Sequence, residues 1–104
     1  MEDLVHSFAA ECFADSSKPI RVALEVNSGK AWCIDCIRKE IEVPVRGRVD
    51  LSIKGDESAL NSLLKGQETP QRLLLEGKIT VEGSRESALQ VSKILARVQV
   101  EEMR

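Results

Sequence analysis

The spacing of apolar residues changes along this chain, and that change restricts its fold more than any other feature. Leu4, Phe8 and Cys12 recur at every fourth residue, which is the spacing that lines one face of a helix. From Ile20 to Val26 apolar residues occupy every second position instead, which is the pattern of a strand with one buried face. A helix and a sheet that each have one apolar side bury those sides against each other, so an α+β arrangement is expected.

The alternating pattern returns in four further segments. The inward residues expected in them are Trp32, Ile34 and Cys36, then Ile41, Val43 and Val45, then Val49, Leu51 and Ile53, and last Ile79 and Val81. Asn27 to Lys30 supplies hairpin turn residues, and Pro44, which lacks an N–H, suits an edge strand. The first three strands should therefore form a meander, followed by a fourth strand that ends at Gly55 and a fifth from Lys78 to Glu82.

Three more helices are expected, each with its own start or stop signal. Asp56 should cap one that ends at Gly66, Thr69 and Pro70 should open a short one through Leu73 to Gly77, and Ser84 should open the last. The buried positions expected are Ala59, Leu60, Leu63 and Leu64 in the first of these helices, and Ala88, Val91, Ile94, Leu95 and Val98 in the last. The prediction is a five-stranded, mainly antiparallel sheet covered on one face by helices, with residues 1–104 forming a single domain because no linker interrupts them.

Composition narrows the classes of function. Lysine and arginine number 15 against 17 aspartates and glutamates, with mixed signs along the chain, so nucleic acid is not an expected partner. No stretch reaches the ~20 apolar residues that cross a bilayer, and the first residues are acidic, unlike a secretory signal. The chain ends without a Ser-Lys-Leu peroxisomal address, so a cytoplasmic protein is expected.

The residues that most often carry chemistry do not form a catalytic or metal-binding set. Cys33 and Cys36 are spaced as CxxC, but on a strand residues three apart point to opposite faces, so the two thiols should not share a metal. With Cys12 they make an odd number, and we expect all three to be reduced. His6 should be solvated on the first helix without an orienting partner. No enzyme activity, metal or cofactor is therefore expected.

The second half of the chain, from VDLSIKGDESALNSLLKGQETP to GKITVEGSRESALQVSKIL, resembles the sterol carrier protein type two family. The resemblance lies in the order of parts: an Asp-bearing strand, a Leu-rich helix ending at Gly66, then Pro70, an apolar run, Gly77 opening a strand, and Gly83 before an amphipathic helix. It implies a five-stranded sheet covered by helices, with an apolar tunnel between them that takes fatty acyl chains, acyl-CoA or sterol-like lipids without catalysis.

If the tunnel is present, one group of apolar residues should line it: Trp32, Ile34, Leu60, Leu64, Leu74, Leu75, Ile79, Val91 and Leu95. Trp32 suits ordinary packing equally well, and the whole set could instead close a solid core. Transient membrane contact and a homodimer are both compatible with the sequence. The alternative function is an accessory or dimerising interaction module with a filled core, which could offer Phe8 and Phe13 to a partner.

Two clusters of polar residues each allow a binding interpretation and a purely structural one. Arg46 and Arg48, with Lys54 nearby, could contact an anionic headgroup, although a solvated sheet edge explains them more simply. Ser84 to Ser87 could hold a phosphate on free N–H groups, although helix capping is the simpler explanation.

Overall fold

A computed structural model describes residues 2–15 and 18–102, with side chains described as far as residue 97. The elements, in chain order, are α1 (Glu2–Ala14), β1 (Arg21–Val26), β2 (Ala31–Asp35), β3 (Glu40–Glu42), β4 (Leu51–Gly55), α2 (Glu57–Leu64), α3 (Pro70–Leu75), β5 (Ile79–Gly83) and α4 (Arg85–Glu102). This order confirms the α+β fold expected from the apolar spacing. Val98, expected on the buried face of α4, lies outside the described side chains.

The five strands form one mixed sheet in the order β3-β2-β1-β4-β5. β1 pairs with β2, β2 with β3 and β4 with β5 in antiparallel fashion, whereas β1 and β4 run parallel, with Leu24 opposite Ile53. After the meander β1 still has one free side, and the chain crosses two strands to reach it. The sheet is therefore mixed, although most of its strand pairs are antiparallel as expected.

The third strand is shorter than the sequence predicts. It ends at Glu42, and Val43, which was expected to face inward, is 64% exposed. Pro44 follows and has no N–H to donate to β2, so the ladder stops before it. Ile41 remains half-buried against the core. Val49, expected in the fourth strand, precedes the start of β4.

The helices cover one face of the sheet and enclose an aliphatic core. Leu24 and Ile34 are completely buried at the centre of the sheet, and Phe8 of α1 and Ile94 of α4 pack into the same cluster. Glycines with positive φ end the two short helices, at Gly66 after α2 and at Gly77 after α3, as the sequence predicts. Of the described helices, none is long and apolar enough to cross a membrane.

The opposite face of the sheet is also partly buried, which the alternating pattern did not predict. Ala23, which lies between the inward residues Val22 and Leu24, is 2% exposed, and Cys33 opposite it in β2 is fully buried. Arg21 lies on the same face of β1 as Ala23, and its guanidinium holds the segment that connects β3 to β4. This face is therefore shielded by an arginine and a loop instead of by helices.

Arg21 fixes that connection through several contacts. Its guanidinium donates to the carbonyl oxygens of Arg46 and Arg48, the first at 2.8 Å. It also donates to the Glu42 carboxylate at 2.6 Å and lies 3.4 Å from the Asp35 carboxylate. Arg46 and Arg48 thus take part in the crossover through their backbones.

The helices begin at the residues that the sequence predicts, but one of the three predicted caps, Asp56, makes no side-chain bond to its helix. Thr69 accepts a hydrogen bond from the N–H of Arg72, and Ser84 accepts one from the N–H of Ser87 at 3.1 Å, so capping accounts for the Ser84 segment. Asp56 occupies the N-cap position of α2, but its side chain makes no cap bond. Its carboxylate accepts a 2.7 Å bond from the Asn27 amide instead, which ties the β1–β2 turn to the start of α2.

Candidate functional site

An apolar groove of about 200 Å³ opens at the edge of the sheet where β4 and β5 meet α3 and α4. Its floor is the helix-facing side of β4 and β5, where Ile53 and Val81 stand opposite each other. The apolar lining consists of Leu51, Ile53, Pro70, Leu74, Val81, Ala88, Leu89, Val91 and Leu95, with Gln71, Arg85 and Ser92 as its polar members. The walls are therefore mainly aliphatic, and the groove has one side open to solvent.

The groove exists because α4 presents short side chains to it. Ala88 and Ser92 are four residues apart and so lie one above the other on the same side of the helix. Val91 and Leu95, also four apart, pack deeper and are almost fully buried. A leucine in place of Ala88 or Ser92 would carry a branched side chain into the space that the groove now occupies.

The nine residues predicted to line a tunnel fall into three groups. Leu74, Val91 and Leu95 line the groove. A second group is buried in the core cluster and does not line the groove: Trp32, Ile34, Leu60, Leu64 and Ile79. Leu75 is 89% exposed, because successive residues of the short helix α3 point in directions about 100° apart. Leu73 takes the buried direction, and Leu74 reaches the groove.

Several lining residues were not among the predicted site. They are Leu51, Ile53, Pro70, Val81, Ala88 and Leu89. The sequence feature that could have indicated the groove is the pair of small residues, Ala88 and Ser92, within the otherwise aliphatic stripe of the last helix. The open groove differs in form from the enclosed tunnel that the family resemblance implies, and that tunnel stays a prediction.

Two leucines form an exposed apolar rim on the groove. Leu74 is 45% exposed and Leu89 is 57% exposed, whereas Leu75, the last residue of α3, is exposed outside the groove lining. Among the described residues, Arg85 is the charged member of the lining, and it is the first residue of α4. The groove thus combines aliphatic walls, an apolar rim and a positive group at the start of a helix, whose N-terminus also favours negative charge.

The other candidate residues do not converge on a second site. Phe8, which the interaction hypothesis offered to a partner, is 2% exposed, and Phe13 packs half-buried against the core. That part of the hypothesis is wrong for Phe8, because α1 docks with this side chain inward. His6 is exposed on the outer side of α1. Cys33 lies under Arg21 on one face of the sheet and Cys36 beside α1 on the other, so the CxxC thiols point apart as expected.

Fold and groove together define a class of small α+β proteins in which a layer of helices over a mixed sheet leaves an apolar recess. The sequence pattern of the SCP-2 sterol transfer family matches residues 9–96, and the chain belongs to this family. The resemblance stated from the second half of the sequence is therefore confirmed. Curated protein sequences give no match.

Solved structures share the fold along nearly the whole chain. Sterol carrier protein 2 from Aedes aegypti, solved in complex with the C16 fatty acid palmitate, superposes with a TM-score of 0.76 at 12% identity, over 91% of this chain and 93% of that one. Sterol carrier protein 2 like-3 from Aedes aegypti gives 0.70 at 14% identity, over 92% and 96%. The ubiquinone synthesis protein UbiJ-SCP2 gives 0.66 at 13%, over 99% and 91%.

Proposed function

We propose that this protein binds apolar ligands with a fatty acyl chain in the groove between β4, β5, α3 and α4, and carries them without catalysis. The aliphatic groove beside α4 is the observation that supports this proposal. A relative with the same fold was solved with palmitate, which makes a single acyl chain the first ligand to test. The described residues that line the groove include no pair of nucleophile and base.

The size of the groove limits how much of a ligand it can bury. An engineered protein cavity of about 150 Å³ holds benzene, so about 200 Å³ accommodates roughly eight carbons. At about 0.8 kcal/mol for each buried methylene, this contributes roughly 6 kcal/mol before the cost of association. Micromolar affinity needs about 8 kcal/mol net, so a tight ligand must cover more apolar surface than the groove floor offers.

The exposed rim supplies that additional surface. A longer chain that leaves the groove would lie on Leu74 and Leu89, which are now open to solvent. Arg85 stands at the start of α4, where its charge and the helix N-terminus both favour a carboxylate or phosphate headgroup. The rim is also the surface through which we propose brief contact with a membrane during uptake and release of the ligand.

A bulky residue on α4 tests the groove directly. We expect Ala88→Phe to lower the affinity for a fluorescent fatty acid at least tenfold, because the ring would occupy the space between α4 and the sheet. Ala96→Phe is the matched control, since Ala96 lies on the exposed side of the same helix. The measurement is a fluorescence titration, with circular dichroism of each variant to confirm that the fold is kept.

Two results would remove this proposal. One is the absence of saturable binding by the unmodified protein, together with no effect of added fatty acid on its Tm. The other is equal loss of binding in both variants or in neither, because that would place the ligand elsewhere. Native mass spectrometry of the purified protein adds a direct readout, since bound lipid and subunit number appear in the same spectrum.

The second candidate is an accessory role in a protein assembly or a homodimer. The observation that favours it is the exposure of three leucines, Leu74, Leu75 and Leu89, which another chain could cover. Leu75→Gln separates the two functions, because Leu75 lies outside the groove lining. A change in subunit number with unchanged fatty acid affinity favours assembly, whereas an unchanged subunit number with intact binding favours carriage.

A further inference from the structure

Two of the three cysteines meet although they are far apart in sequence. Cys12 lies on the buried side of α1, and Cys36 is the first residue after β2. Both contribute to the wall of one cavity beside the end of α1, and both pack against the same core cluster. The described structure contains them as free thiols.

Each of the two cysteines is held in position by its own part of the backbone. The N–H of Cys36 donates to the carbonyl oxygen of Ile20 at 3.0 Å, which fixes the end of β2 beside the segment entering β1. Cys12 is fixed by its own helix, whose neighbouring residues Phe8 and Ala9 are buried in the core. Cys33 is excluded from the pair, since it lies on the other face of the sheet beside Arg21.

The two thiols differ in reactivity. Interaction with the Cys36 thiol, together with burial, raises the pKa of Cys12 far above that of an ordinary cysteine. The same interaction lowers the pKa of Cys36, although burial and the carboxylates of Asp35 and Asp15 oppose the change. Cys36 is also half-buried, whereas Cys12 is 3% exposed. A reagent from solution therefore reaches Cys36 first and finds it the better nucleophile.

We propose that Cys12 and Cys36 are a redox-modification site, at which peroxide oxidises the pair to an intramolecular disulfide. The Cys36 sulfur attacks hydrogen peroxide, so that an S–O bond forms, the O–O bond breaks, and the departing hydroxide leaves as water after protonation. The Cys12 sulfur then attacks the Cys36 sulfenic acid. An S–S bond forms, the S–O bond breaks, and the hydroxide takes the Cys12 proton. Two thiols are oxidised, and one peroxide is reduced to two waters.

The bridge would fasten the end of α1 to the end of β2. A disulfide across a loop of this length removes freedom from the unfolded chain, so we expect a Tm about 10 °C higher than that of the reduced protein. This inference does not depend on lipid binding, because neither cysteine is among the residues that line the groove.

The test is oxidation of the reduced full-length chain with hydrogen peroxide, followed by alkylation of the remaining thiols and measurement of the intact mass. We expect loss of two hydrogens, one alkylated thiol, and reversal by dithiothreitol. Digestion on the N-terminal side of aspartate assigns the bridge, because Asp15 and Asp35 separate the three cysteines into three peptides. The expected cross-linked product joins the peptide containing Cys12 to the one that begins at Asp35.

Two variants serve as matched controls. Cys36→Ser should abolish the bridge and its Tm increase, whereas Cys33→Ser should oxidise like the unmodified chain. The inference is overturned by a bridge that includes Cys33, by a disulfide between two chains, or by an increase of one or more oxygens without cross-linking. The digest of the unmodified protein decides among these outcomes even if a variant fails to fold.

Discussion

Arg21 shows how one side chain can organise a connection that has no regular structure. The segment from Val43 to Asp50 crosses the outer face of the sheet, and two of its carbonyl oxygens accept from the Arg21 guanidinium. The planar guanidinium has five donors in a fixed arrangement, so it can satisfy carbonyls and carboxylates on several sides at once. The side chain is 16% exposed, which places these bonds partly out of water.

We expect Arg21→Gln to lower the Tm by several degrees, because the Glu42 carboxylate and the carbonyls of the crossing segment lose their common donor. Arg21→Lys should restore only part of the loss, since one ammonium group cannot reach both carbonyls in the same geometry. Arg38→Gln is the control: this side chain is 73% exposed and pairs only with Glu40 among the described residues, so its effect should stay within about 0.5 kcal/mol. Equal Tm values for Arg21→Gln and Arg38→Gln would contradict this role.

At the scale of helices and strands, local patterns predicted the order of the elements but not every boundary. The glycine stops at Gly66 and Gly77 and the caps at Thr69 and Ser84 were readable because each depends on the conformation or side chain of a single residue. The end of β3 at Glu42 was not predicted, because Val43 continues the alternating pattern. The ladder stops there because Pro44, which follows, has no N–H to donate to β2. Asp56 occupies the predicted N-cap position of α2, but its side chain makes no cap bond. Its carboxylate accepts a hydrogen bond from Asn27 in the β1–β2 turn instead, which is a contact between residues far apart in sequence.

The docking of α1 leads to a prediction at this scale. Phe8 is almost fully buried between α1 and the rest of the core, so Phe8→Ala should lower the free energy of unfolding by about 3 to 5 kcal/mol. His6→Ala, on the exposed side of the same helix, should change it by less than about 0.5 kcal/mol. Urea unfolding followed by circular dichroism gives both values. If Phe8→Ala left stability unchanged and altered subunit number instead, Phe8 would be a contact between chains and not a core residue.

At the scale of the whole molecule, the sequence predicted the layers better than the site. The apolar stripes show which faces are buried, but they are the same whether the buried side chains meet each other or leave space between them. Trp32, Ile34, Leu60, Leu64 and Ile79 belong to the filled part, whereas Leu74, Val91 and Leu95 reach the groove. That division depends on the distance between α4 and the sheet, which the short side chains of Ala88 and Ser92 allow to open. The parallel pairing of β1 with β4 could not be predicted from the sequence either, because it follows from the path of a loop and not from any apolar pattern.

The response to ligand length distinguishes a groove from a tunnel. In a groove of this size, we expect the binding free energy of saturated fatty acids to improve by about 0.8 kcal/mol per methylene up to roughly eight carbons. Beyond that length the chain lies on the rim with one side in water, so each methylene should contribute about half as much. Isothermal titration calorimetry from hexanoate to palmitate, below the micelle concentration of each acid, gives the slope. A single steep line to palmitate would mean that α3 and α4 move apart to enclose the whole chain. A plateau after the first break, unaffected by Leu74→Ser and Leu89→Ser, would show that the rim contributes nothing and that ligands end where the groove does.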